Sequence, residues 1–495
     1  MNHKLLRLAP ALLLSACVVG PEYKTPELIY SDQWVQQDKQ AESTAFKYQN
    51  TDNEAITTER PKPSSDIKTD WWTVFNDPFL EKYLDLAVLE NKDLQAARAN
   101  VKQARGLRQE TKALYYPSVD TELSQTRSGT SGNTGSQKTR RTSYNAGIDA
   151  SWELDLFGGI SRQNEAEQAQ LDQAVEERRA ILLSVLAETA RTYYRIRGLQ
   201  KRISILQNNI ALQQSTYELV HNLLKMGEAT EFDLSRARGQ LELTQSRLPD
   251  LDADLKTSIF SLSILLGQAP EALLDEMLAI QALPTPPDMV PLGLRSDILR
   301  RRPDVRMAER ALAASTAEIG VAIADLYPSF SLTGNIGRSA SVFSDLVNAS
   351  SNVFSIGPVL NWPIFQGGAI RANIKVQEAE AEEAAIRYEQ AVLNSLADVE
   401  SALTNYAQKL KTRDSLKRAM LSSERSTELA RALFNAGEEN FLSVLDAERE
   451  LTSVKDEVVT SETDAVLYLI TLYTSLGGGW VLFEEQELHF LDDND

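Results

Sequence analysis

Two stretches of this 495-residue chain, Ile160 to Met226 and Ala369 to Ala436, run for 67 and 68 residues without a proline. At helical rise each spans about 100 Å, a length that a compact domain does not need and a rod or tube does. Within the first, Ile196, Leu199, Ile203, Leu206, Ile210, Tyr217, Val220 and Leu224 follow spacings of 3, 4, 3, 4, 7, 3 and 4. That is a narrow seam of coiled-coil type. The opposite face is Gln, Asn, Arg and Glu, so each helix is expected to carry one packed stripe and much wet surface. A plain coiled-coil stalk shows the same seam, and on this feature alone it remains an alternative.

The long runs are two copies of one pattern. Asp93-Leu94 recurs as Asp304-Val305, Tyr116-Pro117-Ser118 as Tyr327-Pro328-Ser329, and Phe157-Gly158-Gly159 as Phe365-Gln366-Gly367-Gly368. Gly227-Glu228 recurs as Gly437-Glu438, and Leu266-Gly267 as Leu476-Gly477. Five matches in one order, at a spacing of about 210 residues, make an internal tandem repeat of helix, strand pair, very long helix, turn and helix. Irregular pieces surround it: Val18 to about Thr69, the proline-rich Gln268 to Pro291, and an acidic tail from Phe483.

The strand pairs have a period of two. Tyr144, Ala146, Ile148, Ala150, Trp152, Leu154 and Leu156 point one way and Asn145, Gly147, Asp149, Ser151, Glu153 and Asp155 the other. The second copy repeats this with Phe354, Ile356, Pro358, Leu360, Trp362 and Ile364, Val359 being an apolar residue on the polar side. Weaker strands precede each, Val119 to Arg127 and Phe330 to Arg338, the first followed by a Gly/Ser/Thr/Asn loop at Ser128 to Gly135. Such strands fit an outer-membrane barrel, and a soluble two-sheet sandwich shows the same alternation. Four strands cannot close a barrel, and lipid tolerates no open edge, so a membrane location requires several chains to share one barrel.

The single cysteine sits at a telling place. Lys4 and Arg7, an apolar stretch from Leu8 to Leu14, and Ser15-Ala16-Cys17 read as a secretory signal, too short to span a membrane. Leu14-Ser15-Ala16-Cys17 also resembles the bacterial lipobox, which implies S-diacylglycerol and N-acyl groups on Cys17; several acyl chains give stable anchorage where one does not. A buried free cysteine is the plain alternative. Val18-Val19 follow it in place of an aspartate that would resemble an inner-membrane retention signal, which favours the outer membrane.

Net charge and motifs exclude other classes. At −19 the chain repels phosphate, which argues against nucleic acid. His3, His221 and His489 lie far apart and have no cysteine companions, so no common zinc spacing can be written; a metal site assembled from carboxylates alone stays open but has no motif behind it, and no cofactor is expected beyond the covalent lipid. There is no Gly-x-Ser-x-Gly, Walker sequence or His-Glu-x-x-His, hence no catalytic residue and no enzyme. Gly158-Gly159 and Gly367-Gly368 fall at strand exits before the long helices, where a tight turn needs residues without Cβ, with Gly159 and Gly368 as the turn candidates. Arg300-Arg301-Arg302 precedes Pro303 and the helix with Asp304 in its first turn, which reads as collar or helix packing rather than a phosphate patch.

Leu299-Arg300-Arg301-Arg302-Pro303-Asp304-Val305-Arg306-Met307-Ala308-Glu309 closely resembles a signature of the TolC-like outer-membrane efflux proteins, particularly their lipoprotein branch. With the lipobox, Tyr-Pro-Ser at Tyr116 and Tyr327, Phe-x-Gly-Gly at Phe365 and the Gly437 to Glu448 segment, the resemblance covers essentially the whole mature chain. It implies a mixed α/β membrane protein: a homotrimer with a twelve-strand outer-membrane β-barrel, four strands per chain, a periplasmic α-helical coiled-coil barrel and a mixed equatorial domain. Three times four strands agrees with the count above. The expected divisions are a signal peptide at 1–16, an anchor and equatorial segment at 17–69, repeat 1 at 70–267 (hairpin 118–156, long helices 160–266), an equatorial linker at 268–298, repeat 2 at 299–478 (hairpin 329–364, long helices 369–476) and an equatorial tail at 479–495. The function implied is a passive exit duct of a tripartite efflux system. Its implied partners are a periplasmic adaptor, an inner-membrane pump of resistance-nodulation-division type and outer-membrane lipid. A protein-secretion duct and a non-conducting structural lipoprotein are the alternatives.

The resemblance also points to the turns at Gly227 and Gly437 as the periplasmic tip and gate. Asp233 resembles an aspartate that ties neighbouring tip helices together, and Asp446 resembles one member of an acidic ring at the constriction. Ser443 stands where the best-known member of the family has a second ring aspartate, and Glu439 where that member has the arginine of its gating salt bridge; relatives of the lipoprotein branch carry an acid at that second place, so Glu439 is a candidate for a ring of its own. The plain alternative for Asp233, Glu438, Glu439 and Asp446 is a solvated helix-turn face. A ring would repel anions and attract cations, with arginines such as Arg236 compensating it.

Overall fold

A computed structural model describes residues 18–26, 70–131, 140–287, 290 and 301–484 of the chain. The signal peptide, Cys17, Arg300, His3, His489, the end of the acidic tail and most of the loop after Arg127 lie outside the described residues. Two compact units are present. One contains residues 99–176 and 307–390 with the N-terminal strap, and the other contains 70–98, 177–306 and 391–484 among the described residues.

In the first unit, β1 (Ser118–Gly129), β2 (Arg140–Leu154), β3 (Ser329–Ala340) and β4 (Asn352–Asn361) make one antiparallel sheet in the order β1-β2-β3-β4. Register decides its faces, because directly opposed residues point the same way. Ile148 lies opposite Thr121 and Ile336, and Ile336 opposite Phe354. The next row is Val119, Ala150, Gly334 and Ile356, and the row beyond joins Trp152, Leu332 and Pro358. On the other face Asp120 opposes Asp149, which opposes Asn335 and through it Ser355; Asn335 donates to Asp149 Oδ1 at 2.6 Å. Glu122 and Glu153 share that polar face. The apolar face is exposed at Leu123, Ile148, Ile336, Phe354 and Ile356, and among the described residues β1 and β4 present unpaired edges.

Both hairpins end earlier than their apolar alternation. Leu156 and Ile364 lie in tight turns, their amides bonded two residues back to Leu154 and Trp362 carbonyls, and Pro363 has no N–H to continue a ladder. At the first strand exit the two glycines are small for different reasons. Gly158 takes the left-handed backbone, φ 79°, because Gly159 already starts a helix; Gly159 is small for another reason, the close approach of Ala324. Gly368 adopts φ 90° as the turn reading requires.

The helices are α1 (Pro78–Glu90), α2 (Lys92–Ala113), α3 (Gly159–Met226), α4 (Glu231–Gln245), α5 (Leu248–Leu265), α6 (Pro303–Ala324), α7 (Ala369–Asn435) and α8 (Phe441–Ser475). The two proline-free runs are continuous helices of 68 and 67 residues. No helix among the described residues is long and apolar enough to cross a membrane. Along the seam of α3, Ile196, Leu199, Leu206 and Val220 are buried, but so are Asn209 and Gln213, which pattern alone assigns to the wet face. In the second unit Trp71 stacks on Tyr473 at 6.1 Å and Phe75 meets Tyr194 at 5.0 Å. Burial in this aromatic core pushes the Tyr473 hydroxyl up to about 12.

Several contacts occur twice at the spacing of the sequence matches. The Trp152 indole donates to the Tyr115 carbonyl at 3.0 Å and the Trp362 indole to Leu326 at 3.1 Å. At the head of α2, Asn91 donates to the Leu265 carbonyl at 2.9 Å; just before α6, Arg302 donates to the Ser475 carbonyl at 3.3 Å. Gly267 and Gly477, both left-handed, end the helices that supply those carbonyls.

Candidate functional site

The turns that close α3 and α7 are built alike. Gly227 and Gly437 take φ of 80° and 74°, a backbone that a Cβ strains. Their amides bond to Leu224 and Phe434 carbonyls, and those of Glu228 and Glu438 reach Leu223 and Leu433 at 2.9 Å. Each following helix then starts on a side-chain cap. Thr230 caps α4 through the Asp233 amide, and Asn440 caps α8 through the Ser443 amide at 3.1 Å. Val220, Ala237 and Phe441 form one buried cluster, with Tyr217, Leu234, Phe434 and Leu445 packed on it, so the two turns meet.

This places the sequence-predicted residues. Asp233 Oδ2 accepts from the Thr230 amide at 3.0 Å and from its hydroxyl at 2.6 Å, so within one chain it completes a capping box on its own helix rather than tying two helices. Ser443 donates to Glu439 Oε1 at 2.6 Å, which holds Glu439 against the start of α8. Asp446 is exposed, and its ionic neighbour is Arg449 at 3.5 Å. Arg236, the arginine expected to compensate the acids, instead lies 4.9 Å over the Phe232 ring. Asp446, Glu439 and Ser443 thus share the exposed start of one helix, while Asp233 belongs to the other turn.

Sequence reasoning missed the buried polar groups behind the turns. Glu448 is 6% exposed. Its Oε1 accepts from Arg431 of α7 at 2.7 and 3.0 Å and from Thr216 of α3 at 3.3 Å. Thr427 of α7 donates to the Ala447 carbonyl at 3.1 Å. The available signal was an acid on the 3,4-spaced stripe Phe441, Val444, Glu448, Leu451. Further along, Lys201 of α3 and Lys417 of α7 both reach Glu462 of α8, at 2.7 and 2.9 Å. Burial alone would raise that carboxyl, and the two lysine bonds outweigh it and hold it below its ordinary range. Arg202 and Asp456 pair at 2.7 Å, and a Cβ at Gly198 would collide with Thr463. Here the three helices are locked together.

The sequence pattern of the outer membrane efflux proteins matches this chain twice, at residues 83–268 and 294–478. The chain belongs to that family. It is 31% identical to the cation efflux system protein CusC of Escherichia coli (strain K12) over 481 residues, 96% of this chain and 99% of the relative. The toluene efflux pump outer membrane protein TtgI of Pseudomonas putida is 29% identical over 489 residues, covering 97% and 99%. Among solved structures, the outer-membrane channel OprN superposes with a TM-score of 0.83 at 32% identity, covering 94% of this chain and all of that one. Members of the family are non-catalytic conduits, so the acids at the turns are to be understood through charge and packing.

Proposed function

We propose that three copies of this chain close a twelve-strand barrel in the outer membrane and form the passive exit duct of a tripartite efflux system. The observation that carries this reading is the sheet: a four-stranded sheet with two open edges and an exposed apolar face is stable in lipid only if other copies complete it. An inner-membrane pump of resistance-nodulation-division type hands the cargo to the duct through a periplasmic adaptor. The cargo class is small molecules: drugs, organic compounds or metal ions. Relatives named for cations and for toluene fit a duct that selects by bore and by ring charge rather than by a pocket. The matching contacts at the heads of α2 and α6, and the double family match, support an internal duplication.

Three copies of Asp446, and of Glu439 beside it, then crowd where the helix turns converge. Replacing Asp446 with Ala removes up to three negative charges from one constriction without touching a buried contact. Single-channel recordings should show a normal conducting trimer whose cation preference and divalent-ion block fall severalfold, more so at low salt, where screening is weak. If D446A keeps the wild-type preference and block, Asp446 does not line the constriction. A folded trimer that never conducts would sink the duct reading itself.

The chain is also read as a lipoprotein acylated at Cys17. Support comes from the strap that follows it. The Val19 amide bonds to the Phe157 carbonyl at 3.2 Å, and Arg162 donates to the Val19 and Gly20 carbonyls at 3.0 and 3.2 Å. Residue 18 is thereby held beside the end of β2, so acyl chains on its neighbour and the apolar sheet face can enter the same bilayer. Changing Cys17 to Ser should abolish incorporation of labelled fatty acid while the barrel still inserts once delivered. A C17S protein that takes up label would refute the assignment.

A further inference from the structure

The acids on the four strands, Asp120, Glu122, Asp149 and Glu153, all lie on the polar face of the sheet. The strand arginines are sorted the other way. Arg127 opposes Thr142 and Arg140 opposes Gly129, in rows that continue the apolar face, and Arg338 opposes Ala146 on the same face. Arg141 alone points to the polar side. All four sit toward the loop ends of the hairpins, away from the ends that run into α3 and α7. Arg338 donates to the Leu346 carbonyl at 3.0 Å and so ties the loop between β3 and β4 to the sheet, where Phe343 meets the Tyr144 ring at 5.7 Å. Val342, Phe343 and Val347 of that loop are exposed, and its acid, Asp345, accepts from Asn348. Arg127 and Arg140 are exposed and make no ion pair among the described residues. They are diagonal neighbours on adjacent strands, about 7–8 Å apart at Cβ, so two guanidiniums can close on one phosphate.

We propose that Arg127 and Arg140, next to Tyr144 and Phe343, bind the phosphate of an outer-leaflet lipid whose acyl chains lie along the apolar face. The site rests on the outer-membrane barrel proposed above, in which that face meets lipid and the loop ends of the hairpins face outward. Depth agrees with it. Trp152 stands at the far end of the same face, eight residues along β2 from Tyr144. At strand rise that is about 26 Å, close to the height of an outer-membrane apolar band with an aromatic girdle at each edge. Arg127 and Arg140 lie past Tyr144, at headgroup level, where arginine on a lipid face costs little; nearer the midplane it costs far more. Position alone would be served by any polar side chain. Arginine, on a face whose strands hold no acid in a chain of net charge −19, makes a positive patch that calls for an anion. A phosphorylated lipid matches both halves of the patch: phosphate oxygens accept from the guanidinium forks, and the exposed loop side chains meet the first methylenes of the tail.

Native mass spectrometry of the detergent-solubilised trimer, titrated with diphosphoryl lipid A, tests the site. A cation at the membrane surface contributes about fivefold to the affinity for an anionic lipid, so Arg140→Gln should weaken retention about fivefold and the pair Arg127→Gln, Arg140→Gln about 25-fold. Arg141→Gln removes the same charge one residue away but on the other face, and should leave retention at the wild-type level. Replacing both Arg127 and Arg140 with Lys should recover part of the loss. Lipid A stripped of its phosphates should bind wild type and the double Gln variant alike. Equal loss in R140Q and R141Q would mean general attraction to a positive loop end, and undiminished retention in the double variant would mean that acyl chains alone hold the lipid. Either result overturns the phosphate site. If the double variant yields no trimer, R140Q against R141Q decides the matter. Trimers that insert and conduct in planar bilayers but fail these contrasts leave the duct reading standing, whereas a protein that never enters a bilayer refutes the barrel and the lipid site with it.

Discussion

Placing arginine at Ile356 is expected to keep the protein out of the bilayer, whereas arginine one step along the same strand, at Ser355, is expected to insert and conduct. Ile356 is 76% exposed in the single chain and lies in the row that runs through Ala150 and Gly334. A cationic side chain on the lipid face costs about 2–4 kcal/mol at the membrane midplane, and a trimer carries three. Ser355 faces the side that holds Asn335 and Asp149, where an arginine meets a carboxylate instead of lipid. Folded-trimer yield in outer-membrane fractions should therefore collapse for I356R and stay near wild type for S355R, whose channels should prefer cations less. Equal insertion of both would mean that the apolar face is covered by protein, and the sandwich alternative would return.

That contrast was readable from sequence because a strand alternates with period two whatever its surroundings. The set from Tyr144 to Leu154 falls on one face of β2 in the structure, and among the described residues the sheet has the four strands counted from the sequence. The alternation overran the strand at Leu156 and Ile364 because periodicity does not report where the last ladder bond forms. The proline-free runs were equally legible, since nothing in them interrupts helical hydrogen bonding. The candidate site was legible in part. The glycine turns follow from local backbone chemistry, but Glu448, Asn209 and Gln213 are polar residues on buried stripes, and a hydropathy pattern assigns polar residues to water. Asp233 shows the reverse case: Thr230-x-x-Asp233 is a local capping box whose spacing alone is legible in the sequence.

Arg302 extends this argument to an expected stability loss. Its guanidinium is buried and holds Asp304 through two bonds, at 3.0 and 2.7 Å, and Asp398 of α7 at 2.9 Å. It also donates to the carbonyls of Ser395 and Ser475, so one side chain joins the head of α6 to α7 and to the end of α8. Both aspartates are half-exposed and can hydrate when abandoned, which limits the ionic share of the loss; the buried carbonyls beside a cavity of about 480 Å³ are the dearer part. Arg302→Ala should therefore cost about 2–4 kcal/mol per chain, read as a lower temperature for thermal dissociation of the detergent-solubilised trimer. Arg302→Lys should recover less than half, because an ammonium cannot fork across two carboxylates and still reach two carbonyls. Arg302→Asn is the discriminating variant, since asparagine does the matching task at position 91 by bonding Leu265. If the two halves share one geometry, R302N regains the Ser475 bond but not the Asp398 link and falls between Ala and wild type. An R302N trimer no more stable than R302A would mean that the halves close their helix ends differently, despite the shared spacing.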